Sequence, residues 1–139
     1  MTTLTHDEIN NIIDLAKPHA KVVCDRIYNR VKGQIGGNET FKTTLDNSFD
    51  IICNIQIEYF KKEFDAFFTD EDDSITVVEI ADFLSKYECF MLEYREKSKP
   101  LDINDTIVDT IDKSVAQAFT EKLAEYLNID ISEVINGGK

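Results

Sequence analysis

The sequence predicts an all-α protein, a single-domain bundle of four to five helices. Three observations carry this: apolar residues recur at helical spacing, Thr-x-x-Glu signatures precede two such stretches, and no alternating run is long enough for a strand. At 139 residues the chain has the size of one domain, enough to bury a core without disulfide or metal staples. Residues 1–136 are read as that domain and 137–139 as a flexible tail.

The first helix opens at Thr5 with Glu8 three residues on, a pairing in which hydroxyl and carboxylate satisfy backbone donors that lack a helical partner. Ile9, Ile12, Ile13 and Leu15 follow. Pro18 has no N–H and restricts Lys17, which predicts a kink or break before the pattern resumes through Val22, Val23, Ile27, Tyr28 and Val31. Gly33, Gly36 and Gly37 end it.

A second helix is expected over 39–68, with Phe41, Leu45, Phe49, Ile52, Cys53, Ile55, Tyr59, Phe60, Phe64 and Phe67 along one face. Its length of ~45 Å exceeds a globule diameter of ~35 Å, so it is expected to bend, project or stop short. The third, over 77–97, has the clearest start: Thr76 and Glu79 form a capping box, and Ile75 and Ile80 stand where a hydrophobic staple clasps the entering backbone. Ile80, Phe83, Leu84, Tyr87, Phe90, Met91 and Tyr94 form its inner face, and Pro100 stops it.

The last long helix begins between Asp102 and Asp105 and turns Ile107, Val108, Ile111, Val115, Phe119, Leu123 and Tyr126 or Leu127 inward. Asp102, Asp105, Asp109 and Asp112 recur at three, four and three, which aligns them on one side. A short helical turn over 132–135 completes the chain.

The net charge is -12, and the stretch from Glu63 to Ser85 holds eight acidic residues without a Lys or Arg. Such a joint is solvated, faces a cation, or faces a basic partner. The charge opposes direct nucleic-acid binding and approach to anionic lipid, both of which rely on basic clusters. No apolar stretch reaches the ~18 residues that span a bilayer, and the first eight residues lack a signal-peptide layout. A cytoplasmic protein without membrane contact is the expectation. Cys24, Cys53 and Cys89 are odd in number, widely spaced and set among apolar residues, which reads as buried reduced thiols.

The residues from Phe68 to Glu79 resemble an EF-hand loop. Ile75 stands at the apolar eighth position, Glu79 at the bidentate twelfth, Asp70 at the third and Asp72 at the fifth. The resemblance implies a calcium site with Asp70, Asp72 and Glu79 as metal ligands. Phe68 departs from it at the first position, where an oxygen belongs, and Asp73 replaces the turn glycine. The same acids also suit a helix N-terminus, whose dipole favours negative charge.

Histidine occurs only as His6 and His19. A haem globin, a carboxylate-bridged di-iron bundle and a His-clustered zinc hydrolase are therefore excluded, and no Gly-rich phosphate loop opens a helix. His19 and Cys24 are read as a surface histidine and a core thiol, not a catalytic pair. No enzyme activity and no cofactor are expected.

The leading expectation is a binding or regulatory protein that docks on a basic protein surface through Asp65, Asp70, Glu71, Asp72 and Asp73 and the side carrying Asp102, Asp105, Asp109 and Asp112. One version is an inhibitor that fills the groove of a nucleic-acid-binding protein with carboxylates in place of phosphates. A calcium-binding module is the alternative. Another is a haem-free sensor whose Phe60, Phe64, Phe67 and Phe68 line an apolar cavity; packed core is the plainer use of those rings.

Overall fold

A computed structural model of the chain describes residues 3–31, 39–68, 74–86 and 103–130. Four helices appear in it: α1 (His6–Val31), α2 (Glu39–Phe67), α3 (77–86) and α4 (Ile103–Leu127). The protein is an all-α bundle. The predicted turn over 132–135, the stretch of the third helix beyond Lys86 and the tail at 137–139 lie outside the described residues.

Both predicted capping boxes form. The Thr5 N–H donates to Glu8 Oε1 at 3.1 Å and the Glu8 N–H to Thr5 Oγ1 at 3.1 Å. The Glu79 N–H donates to Thr76 Oγ1 at 3.2 Å, and the Thr76 N–H and hydroxyl donate to Glu79 Oε1 at 3.3 and 3.0 Å. Each box is flanked by buried residues at the staple positions, Leu4 with Ile9 and Ile75 with Ile80. Replacing Thr76 by Ala is expected to cost about 1 kcal/mol in the urea unfolding free energy, and Thr5→Ala a similar amount.

The sequence contained no strand signal, yet two short strands form, β1 (Thr3–Leu4) and β2 (Ile75–Thr76). They pair antiparallel with Leu4 opposite Ile75 and Thr3 opposite Thr76. At two residues each they are too short to display a period of two. Their effect is architectural: the residue preceding each capping threonine is joined to its counterpart, so α1 and α3 start side by side.

Pro18 lies inside α1 without ending it. Pro18 and Asp14, whose carbonyl loses its usual donor, are both exposed, while Ala16 and Ala20 on the inner side are fully buried. The predicted break does not occur because packing outweighs one missing hydrogen bond.

α2 is continuous over 29 residues and buries Phe41, Leu45, Phe49, Cys53, Ile57, Phe60 and Phe64. The length conflict resolves because the 26-residue α1 runs antiparallel beside it: His6 meets Phe64 at one end, and Tyr28 stacks on Phe41 at the other, centroids 6.0 Å apart. Ile55 is exposed and Phe67 only partly covered, against expectation, while Ile57 takes an inner place.

Between α1 and α2, Lys21, Asp25, Lys42 and Asp46 form a closed ring of ion pairs. Lys21 lies 3.3 Å from Asp25 and 2.7 Å from Asp46; Lys42 lies 3.1 and 2.9 Å from the same two carboxylates. Both ammonium groups also sit over aromatic faces, Lys21 over Phe49 and Lys42 over Tyr28, each at 5.1 Å. Burial opposes charge on both lysines, yet Asp46 and Asp25 outweigh it and hold their pKa values above the ordinary lysine range. Exposure to solvent limits each pair to about 0.2–1 kcal/mol.

α4 is the central element, packed chiefly on α1 and also on α2. It buries Ile107, Ile111, Val115, Ala118, Phe119, Leu123 and Ala124 together with Thr110, Asp112 and Ser114, which is most of its circumference. Ser114 satisfies its hydroxyl by donating to the Thr110 carbonyl at 2.6 Å. The helix ends in a left-handed Asn128, φ 55°, with Ile129 N–H donating to the Ala124 carbonyl and Asn128 N–H to that of Glu125. That is a Schellman motif, with asparagine where glycine is commonest. Among the described residues no helix is long and apolar enough to cross a membrane.

Candidate functional site

One end of the bundle gathers carboxylates from every helix. The β1–β2 pair brings the starts of α1 and α3 together, His6 packs its ring edge on Phe64 near the end of α2, and the Tyr126 hydroxyl at the end of α4 donates to Glu8 Oε2. This places Asp7 and Glu8, Glu63 and Asp65, Glu79, Glu125 and Asp130 at a common pole.

Their counter-charges differ. Asp7, Glu8 and Glu79 lie in the first turns of helices, where the positive end of the dipole answers them. Glu8 is further held by Tyr126, which lowers its pKa, and its own capping contacts act in the same direction; Tyr126 is raised in return. Lys122 reaches Glu125 at 3.2 Å.

At the end of α2 the balance is negative. Among the described residues, Asp65 pairs only with His6 Nδ1 at 3.9 Å, and neither Glu63 nor Asp7 forms an ion pair. The last turn of α2 carries no basic residue, so the negative end of its dipole adds to the carboxylates. The nearby Lys61 is turned away, 2.6 Å from Asp14.

Of the residues singled out in the sequence, Asp65 stands exposed at this pole. Asp70, Glu71, Asp72, Asp73 and Asp102 lie outside the described residues. Asp105 is in the first turn of α4, far along the helix from the pole. The aspartate side of α4 expected to dock on a partner is not open at its inner end: Asp112 is only 3% exposed, and Asp109, 3.4 Å from Lys113, is largely covered. From Ile107 to Ala124, α4 is buried over most of its circumference, so Asp109 and Asp112 have no fully open side to occupy. Asp112 is accordingly not a surface docking residue.

At the EF-hand-like loop, Phe68 is packed into an aromatic cluster, its ring 4.5 Å from Phe64 and 6.0 Å from Phe83. Glu79 is occupied by the cap on Thr76. No group of three His, Cys, Asp or Glu side chains able to hold a metal occurs among the described residues. Phe60, Phe64 and Phe67 pack on Phe83 at 5.4–5.5 Å, edge to face or nearly so.

A polar cluster that sequence reasoning missed joins α1 to α4. Glu121 Oε1 accepts from His19 Nε2 at 2.9 Å, and Oε2 accepts from Arg26 Nη1 and Gln117 Nε2, both at 3.0 Å. Partial burial disfavours the charge on Glu121, but His19, Gln117 and Arg26 outweigh it and lower its pKa. The spacing of seven between His19 and Arg26 puts them on one face of α1; only the tertiary fold supplies their partner. Cys24 and Cys53 are buried free thiols, and burial pushes both pKa values up, which makes them poor nucleophiles. Cys89 lies outside the described residues.

No family model, curated protein or solved structure matches this chain.

Proposed function

We propose that this is a non-enzymatic cytoplasmic binding or regulatory protein that docks on a basic protein surface through the end of α2. The observation that supports it most is that, among the described residues, Glu63 forms no ion pair and Asp65 faces only His6, next to the negative end of the α2 dipole and continued in sequence by Asp70, Glu71, Asp72 and Asp73. A partner that works on nucleic acid carries the matching positive groove, and carboxylates spaced along this pole would take the place of phosphates there.

A fluorescent deca-arginine peptide serves as the probe. Glu63→Lys with Asp65→Lys is expected to weaken its binding about tenfold or more, and affinity should fall steeply as salt is raised. Glu39→Lys with Asp50→Lys makes the same change in net charge on other parts of α2. Equal loss in both double variants, or binding indifferent to salt, overturns the assignment.

A second reading, a calcium-binding module, draws support from the β1–β2 register. The segments Leu4-Thr5-His6-Asp7-Glu8-Ile9 and Ile75-Thr76-Val77-Val78-Glu79-Ile80 share one pattern, and the pair joins them at equivalent residues, Leu4 opposite Ile75, so the eighth position of the loop is held by a symmetric contact. In this reading Asp70, Asp72 and Glu79 are the ligands. Calorimetry with calcium should give heat that Glu79→Gln abolishes; no heat at millimolar metal overturns it.

A further inference from the structure

We draw no further inference here: the strongest candidate, the outward apolar face of α2 at Ile51 and Ile55, carries nothing because nothing in the structure shows what covers it.

Discussion

Replacing Phe60 by Ala is expected to cost about 3–5 kcal/mol, a large share of the roughly 5–15 kcal/mol that holds a domain of this kind together. Phe60 is fully buried at the point where α2, α3 and α4 meet, its ring 5.5 Å from Phe83 and 5.1 Å from Phe119. Truncation removes the transfer free energy of the ring and leaves a cavity whose walls belong to three helices, none able to close it alone. The midpoint of urea unfolding reports the loss, provided the slope is unchanged.

Phe67 is the internal comparison. It belongs to the same aromatic cluster but is 38% exposed, with Lys86 over its outer face at 5.2 Å. Phe67→Ala should cost much less, about 1–2 kcal/mol, because much of the ring already meets water. If Phe60→Ala fails to fold, Phe60→Leu keeps most of the volume and should still lower the unfolding free energy, by up to about 1.5 kcal/mol. Equal losses at the two positions would mean that the cluster is not the junction of the bundle.

What the sequence made legible was local. Thr5 with Glu8 and Thr76 with Glu79 are satisfied within four residues, so their geometry needs no knowledge of the rest of the chain. The inner face of α2 was readable because helical periodicity is also local, but its edges were not: Ile55 and Ile57 are both apolar, and only the positions of the neighbouring helices decide that Ile57 is covered. Asp112 failed for the same reason. A row of four aspartates reads as a solvated side on an isolated helix, whereas α4 is packed over most of its circumference. The acidic run was visible in sequence, but the meeting of Glu63 and Asp65 with the ends of α1, α3 and α4 at one pole depends on the Leu4–Ile75 pair and the Tyr126–Glu8 contact, both made between residues far apart in the chain.

Stability against acid should depend on Glu121, whose carboxylate ties His19 and Arg26 of α1 to α4. Its pKa is lowered in the folded protein, so the unfolded chain binds the proton more readily and acid drives unfolding. The contribution is therefore present above the unfolded value of about 4.3 and is lost as pH falls through the folded one. Asp46, lowered by Lys21 and Lys42, and Glu8, lowered by Tyr126, act with the same sign. Lys21, Lys42 and Tyr126, all raised, contribute stability that is complete below their ordinary values and lost only as pH rises through the folded ones, above about pH 10.

The unfolding free energy should therefore fall as pH drops below about 5. Glu121→Gln keeps the shape but removes the charge, and is expected to cost about 1–3 kcal/mol at pH 7 while reducing the slope below pH 5, because one of the groups that takes up a proton on unfolding is gone. A loss of similar size at pH 7 and pH 3 would mean that Glu121 acts by packing and not through its charge. An unchanged acid slope would place the proton-linked stability in the Lys21–Asp46 ring instead, where Asp46→Asn becomes the variant that flattens it.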